Sequence, residues 1–352
     1  MTSSLEELER LAKTANAEIM KVSYQILNRY HPATLIGSGK VLEIAELARK
    51  LKATTVIFDH ELSAAQQKNL ESACRVKILD RSRLILDIFA KRARTSEGRI
   101  QVELAQLSYL LPRLTGAWRG FSQQVGGIGT RGPGERKLEY ERRHIQLRIN
   151  HLKHELKKVE SSRAVRRKKR NEGQTQISLV GYTNVGKSTL LNALSKSPKS
   201  VYADNKLFAT LDPTSRRVWL PSGSQAVLTD TVGFIQRLPP ALVLAFRATL
   251  EEIPLSDCLY IVSDATSENI ENQDNAVAKI MEELGATKVP QIKILNKLDS
   301  LDFKKRAALA LKYPDRIFIS AKTGEGINDL LDRTEDILHP RIEGFQKPPD
   351  FS

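Results

Sequence analysis

Eight residues near the middle of the chain, Gly181, Tyr182, Thr183, Asn184, Val185, Gly186, Lys187 and Ser188, read GYTNVGKS. Glycines let a backbone wrap closely around an anion, a lysine neutralises phosphate oxygens, and a serine hydroxyl is a hard ligand for Mg²⁺. The pattern is that of a phosphate loop. Its context also fits, with an apolar run from Ile177 to Val180 before it and a helical run from Thr189 to Leu194 after it. Asp230, Thr231, Val232 and Gly233 (DTVG) follow the apolar run Ala226 to Leu228. An aspartate there can hold Mg²⁺ directly or through water, and the Gly233 amide can meet a terminal phosphate. Asn296, Lys297, Leu298 and Asp299 (NKLD) follow Gln291 to Leu295, and Ser320, Ala321 and Lys322 (SAK) follow Arg316 to Ile319. The Asp299 carboxylate can accept both the N1–H and the exocyclic amino group of guanine, and backbone amides at SAK can donate to guanine O6. Adenine matches neither contact. Taken singly, DTVG is also a common turn, Asp299 a possible helix N-cap and Ser320 a plain turn residue. Together, four motifs in this order on four strand ends point to a guanine nucleotide.

Such motifs need strand ends to carry them. From Thr175 onward the order is strand, glycine-rich turn, helix and further strands, which predicts a doubly wound α/β sheet with its ligands at the carboxyl ends of the strands. Ahead of it, Glu6 to Ala93 reads as a small α/β domain. Strands are expected at Ala53 to Asp59 and Val76 to Leu79, and helices at Ser63 to Cys74, with Ser63 as N-cap, and at Ser82 to Ala93. Between the two domains the period changes. Ile100, Leu104, Leu107, Leu111 and Leu114 are spaced alternately four and three apart, and so are Ile145, Ile149, Leu152, Leu156 and Val159. Gly116 to Gly134 separates these seams and holds seven of the 19 glycines, so an antiparallel helical hairpin with a glycine-rich tip is expected. The fold class is therefore α/β: an N-terminal α/β domain (1–95), a basic hairpin (96–170), a linker (171–174), a P-loop domain (175–340) and a tail (341–352).

Charge sorts these parts. The 352 residues carry a net charge of +14, and splitting them at Thr175 leaves 34 basic against 19 acidic residues before it and 21 against 22 after it. A basic half implies a polyanionic partner. Most of the surplus lies on the hairpin, which ends in Arg163 to Arg170 (RAVRRKKR). At its tip Arg119, Arg131, Arg136 and Lys137 flank glycines that allow close approach to RNA, while Trp118 and Phe121 could stack on unpaired bases or pack back on the helices. Cys74 and Cys258 form no disulfide or zinc pattern, and the acidic start has no signal-peptide character, so a cytoplasmic location is expected, with any membrane contact peripheral. His144, His151 and His154 read as RNA-facing or solvated rather than metal-binding. IGSGK (Ile36 to Lys40) has Val41 in place of the Ser/Thr hydroxyl, and it reads better as a tight turn than as a second phosphate loop.

The set GYTNVGKS, DTVG, NKLD and SAK resembles the translation-factor-type GTPases. Phe208 to Thr214 (FATLDPT) resembles the first switch of their HflX branch. Four further stretches are similar to HflX: IGSGK, Asp80 to Ala90 (DRSRLILDIFA), Ile100 to Leu107 (IQVELAQL) and Gln124 to Glu135 (QVGGIGTRGPGE). The resemblance implies a monomeric GTPase that binds the large ribosomal subunit and its rRNA and splits or rescues stalled ribosomes. Roles in large-subunit assembly, or as an RNA-binding module with a slow GTP-sensing domain, are the alternatives.

It also implies that Phe208, Ala209, Thr210, Leu211 and Asp212 join the other motifs at GTP. Mg²⁺ would sit on Ser188 and Thr210, with Thr214 as a competing hydroxyl, and Lys187, Thr210, Asp230 and Gly233 would serve hydrolysis. Phe234 stands where Ras-like GTPases carry a water-orienting glutamine, so intrinsic hydrolysis should be slow. Asn184 either marks a K⁺ site, as in related GTPases, or only stabilises the loop. Two departures stand out. Arg136 and Lys137 replace the family's usual Thr and Gln, and only His339 to Ser352 follow the last helix where many members carry a further domain.

Overall fold

The computed structural model describes residues 2–117, 133–170, 174–195, 207–208, 213–235, 242, 250 and 252–338. They fall into two compact units. The first is Met1–Arg166 with Lys206–Asp212 and Gln236–Ala248, and the second is Arg167–Asn205 with Pro213–Ile235 and Thr249–Ser352. The division does not follow the chain, because two short segments from the P-loop half group with the first unit. Within that unit the Phe208 and Phe89 rings lie 4.5 Å apart, both almost fully buried, and the Leu207 amide donates to Thr14 Oγ1 at 3.3 Å.

The first unit begins with α1 (Thr2–Thr14) and α2 (Ser38–Lys50). A parallel pair follows, β1 (Thr55–Phe58) and β2 (Lys77–Asp80), joined through α3 (Ala64–Cys74) and continued by α4 (Arg81–Arg92). Ser63 caps α3 in a reciprocal capping box with Gln66, as its position before the helical run predicts. Asp80 caps α4 through the Arg83 amide. The core between these elements holds Leu35, Ile36, Val41, Phe58, Leu62, Leu70, Cys74 and Ile78. Residues 17–27 form no regular element, and Met20, Val22, Tyr24 and Ile26 stand exposed along them.

Charged residues lock the first unit from within. Arg81 donates to Glu7 and to Asp59, at 2.7 Å each. Asp80 receives the Leu62 amide at 3.1 Å and Arg113 at 3.3 Å, and Arg113 stacks 3.5 Å over the Tyr109 ring. Arg113 and Tyr109 belong to α5 (Ser96–Ala117), which runs to the hairpin tip; α6 (Pro133–Arg170) follows it. Both helices extend slightly into the glycine-rich stretch, α6 starting on Pro133, whose missing N–H costs nothing at a first helical position. The two apolar seams meet as their spacing requires. Leu104, Ile149, Leu152 and Leu156 are buried together, with Ile100, Leu107, Leu111 and Ile145 packed around them. A bidentate Arg148 to Glu103 pair (2.7 and 2.9 Å) spans the hairpin.

The second unit is built on a six-stranded sheet of order β4-β5-β3-β6-β7-β8. Its strands are β3 (Thr175–Gly181), β4 (Thr214–Trp219), β5 (Gln225–Asp230), β6 (Cys258–Asp264), β7 (Gln291–Asn296) and β8 (Ile317–Phe318). Helices α7 (Lys187–Leu194), α8 (Ile270–Glu283), α9 (Phe303–Lys312) and α10 (Ile327–Leu338) accompany it. All pairings are parallel except β4 with β5, so the edge departs from a purely parallel sheet. β3 and β6 are buried along almost their whole length, which explains their continuous apolar sequence. β4 is hidden in the sequence by Arg216 and Arg217, which sit on an exposed edge. Among the described residues, no helix is long and apolar enough to cross a membrane.

Candidate nucleotide site

In the second unit β3, β5 and β7 end on three of the motifs, and SAK lies just past β8. The phosphate loop turns from β3 into α7, and Gly186 at the turn adopts φ +93, where a Cβ would come within 2.3 Å of Asn296 Nδ2. Glycine is therefore required there on two counts. Lys187 is buried and points back into the loop, donating to the carbonyls of Gly181 (3.1 Å) and Tyr182 (2.8 Å). Among the described residues no carboxylate lies in ion-pair range of it. Burial lowers its pKa to about 8, with Asp230 opposing the shift. A buried ammonium ringed by carbonyls is a strong attractor for the oxygens of a polyphosphate.

Ser188 Oγ donates to Asp230 Oδ2 at 2.6 Å. The hydroxyl and the carboxylate thus present hard oxygen donors side by side, a donor set that suits Mg²⁺. Thr214, the alternative switch hydroxyl, opens β4 directly opposite Asp230 in the ladder.

The phosphate loop and DTVG are stitched together. β3 and β5 pair in register as far as Leu179 and Asp230, and pairing resumes at a bridge between Tyr182 and Phe234. There Thr183 N–H donates to the Phe234 carbonyl at 2.8 Å, and Phe234 N–H to the Gly181 carbonyl at 3.1 Å. Between these anchor points β3 contributes two residues, Val180 and Gly181, and the other strand three, Thr231 to Gly233. Thr231 turns inward and donates to the Leu179 carbonyl at 2.6 Å. Phe234 is 2% exposed, so its ring belongs to the core.

On the base side, Asn296 Nδ2 donates to the Val185 carbonyl (2.8 Å), and its Oδ1 accepts from the Ala321 amide (2.9 Å). Lys297 reaches the Asn184 carbonyl at 2.6 Å and Asp264 at 2.7 Å. Asp299 remains solvent-facing and accepts Ser320 Oγ at 2.7 Å, a bond that lowers its pKa and keeps it ionised.

Comparison with known proteins fits this geometry. Residues 2–90 match a family model described as the N-terminal part of GTP-binding GTPases, 92–170 one described as their middle region, and 176–297 one described as 50S ribosome-binding GTPase. A GTPase HflX of Caldanaerobacter subterraneus subsp. tengcongensis is 47% identical over 341 residues, covering 97% of this chain and 78% of that protein. The chain belongs to the HflX family of GTPases. The GTPase HflX of Escherichia coli K12 is 45% identical, covering 96% of this chain and 80% of its own length. A solved GTP-binding protein from Sulfolobus solfataricus, in complex with GDP, matches over 95% of this chain and 94% of its own at 25% identity and a TM-score of 0.47.

In this HflX GTPase the motif residues divide into those whose polar groups face the loop or solvent and those that serve as scaffolding. Lys187, Ser188, Asp230, Gly233 and Asp299 present groups that a nucleotide or its metal can use. Asn296 and Lys297 bind the phosphate loop itself, Leu298 is buried in a small apolar cluster with Ala265 and Leu295, and Val232 is buried as well. Asp264, which holds Lys297, was missed in the sequence because it lies in no motif; its place at the end of an apolar strand was the available signal. Phe208, read as a switch residue, is buried against Phe89 in the first unit. Ala209, Thr210, Leu211 and Asp212 lie outside the described residues, as do Trp118, Arg119, Phe121 and Arg131. Arg136 and Lys137 fall in the first turns of α6.

Proposed function

We propose that this GTPase binds the large ribosomal subunit through rRNA contacts of its basic hairpin, and that GTP binding and hydrolysis switch it on and off a stalled or split ribosome. The reading is carried by one pairing of observations: a complete set of guanine-nucleotide motifs on the second unit's sheet, and a 38-residue helix, α6, ending in RAVRRKKR. Phosphates attract such a helix with little regard for base sequence. The 50S ribosome-binding description of the matched family model supports the same partner. A cytoplasmic location follows from that partner.

GTP would lie with its phosphates in the Gly181 to Ser188 loop, on amides other than that of Thr183, and its base against Asp299 and the SAK turn. Mg²⁺ would be held by Ser188 and Thr210, with Asp230 beside it, and when bound it would neutralise charge building on the phosphate oxygens. Lys187 holds the β and γ oxygens, and the Gly233 amide faces the terminal phosphate. Because the Phe234 ring is committed to the core, hydrolysis by the isolated protein should be slow and a ribosomal partner should complete the site. A K⁺ ion beside Asn184 would be a further source of positive charge there.

GTP turnover measured with and without purified large subunits, together with sedimentation of 70S particles, tests this. Stimulation by mature large subunits with loss of 70S particles is expected. Stimulation only by precursor particles would favour an assembly role, and the absence of stimulation would leave an RNA-binding module with a slow GTP sensor.

A further inference from the structure

Thr183 occupies the third position of the phosphate loop, and it combines two properties that do not belong together in a structural residue. It is 6% exposed, and its hydroxyl oxygen, inaccessible to solvent, has no hydrogen-bond partner among the described residues. Such a hydroxyl is costly to bury and is normally paired. Among the described residues nothing pairs with it, and valine has nearly the same shape. Its backbone N–H, by contrast, is engaged, donating to the Phe234 carbonyl at 2.8 Å.

The neighbourhood is that of the terminal phosphate. A Cβ built on Gly233 would lie 2.8 Å from Thr183 Cγ2, 2.9 Å from Thr183 Cα and 3.0 Å from Lys187 Nζ. The Thr183 methyl, the Gly233 backbone and the Lys187 ammonium therefore converge on one point, and the Thr183 hydroxyl is carried by the same Cβ as that methyl. Lys187 is the phosphate-neutralising group and Gly233 the amide donor of DTVG. Phe234, next along the chain, has no polar atom to offer and is held in the core by the same bridge that fixes Thr183.

We propose that the Thr183 hydroxyl is a catalytic contact: it accepts a hydrogen bond from the attacking water and so stands in for the water-orienting side chain that Phe234 cannot supply. A hydroxyl can accept while its own proton is donated to a γ-phosphate oxygen, so one side chain can relate the nucleophile to its target. The water oxygen forms the new bond to phosphorus, the bond from phosphorus to the GDP oxygen breaks, and the water proton leaves on the released phosphate. Thr183 gains and loses nothing overall. The inference rests on GTP lying in this loop with its terminal phosphate between Lys187 and Gly233.

Thr183→Val and Thr183→Ser variants test it by three readouts: thermal unfolding of the nucleotide-free protein, affinity for a fluorescent GDP analogue, and single-turnover GTP hydrolysis alongside affinity for GDP with aluminium fluoride. The valine variant should melt at or above the wild-type temperature and bind the GDP analogue within about twofold, because the missing hydroxyl has no partner to lose. It should hydrolyse GTP on the order of ten- to a hundredfold more slowly and lose affinity for the aluminium fluoride complex by a similar factor. The serine variant should recover most of the rate. A valine variant that hydrolyses GTP at the wild-type rate overturns the proposal, and so does a serine variant as slow as valine, or loss of GDP affinity in parallel with rate. Failure of the wild-type protein to bind the GDP analogue would instead remove the nucleotide reading on which the proposal stands.

Discussion

Each unit buries a positively charged side chain, and the two are treated in opposite ways. Arg81, in the first unit, is 3% exposed and pairs with Glu7 and Asp59. Burial alone would lower its pKa, and the two carboxylates more than reverse the effect. Lys187, in the second unit, is buried too but donates to carbonyls and has no carboxylate in ion-pair range among the described residues, and its pKa falls to about 8. A buried cation with its counter-charges in place is a rivet. A buried cation without them is waiting for an anion. The same distinction separates Asp80, saturated by backbone amides and Arg113, from the Thr183 hydroxyl, which is saturated by nothing described.

Three substitutions can break this comparison. Arg81→Met should have the largest effect, a loss of about 3–5 kcal/mol in urea unfolding of the first unit, since it removes the buried counter-charge of Glu7 and Asp59. A loss under about 1 kcal/mol would show that Arg81 is no rivet. Lys187→Met should do the reverse. Folding stability should hold or rise, while GTP affinity drops by about 3 kcal/mol in equilibrium titration. If stability and affinity fell together, the contrast between the two cations would be lost. The smallest effect is expected from Asp299→Asn, which leaves the fold and the phosphate contacts untouched and costs about 2 kcal/mol in GTP affinity by removing the acceptor for two guanine donors. Xanthosine triphosphate, which presents an acceptor where guanine carries its amino group, should bind the variant better than GTP. An unchanged nucleotide preference would place the base elsewhere.

Much of the molecule was legible in residue order, and the reason is physical. Seams of leucine and isoleucine at helical spacing can be buried only against each other, so Leu104, Ile149, Leu152 and Leu156 foretold the hairpin. The Ser63 cap was readable because a hydroxyl just before a helical run satisfies a free amide. Of the candidate site, the places of the phosphate loop, DTVG and NKLD at strand ends were legible because each follows an apolar run long enough to be a buried strand. The scaffold roles of Asn296 and Lys297 were not, since a contact from β7 back to the loop after β3 depends on strand order, and local sequence does not carry strand order. β4 was missed for a related reason: its arginines suit an edge strand, but nothing in TSRRVW says that an edge is where it will lie. The grouping of Phe208 with Phe89 depends on two residues far apart in the chain, and no period or motif joins them.

The ladder between β3 and β5 has one more consequence. From Leu179 and Asp230 to Tyr182 and Phe234, one strand spans the gap with two residues and the other with three. That extra residue places one more backbone amide beside the phosphate loop than an unbroken ladder would leave there. A single glycine, Gly233, makes room for that surplus of length, because a Cβ there would lie within 3.0 Å of Thr183 and of Lys187 Nζ.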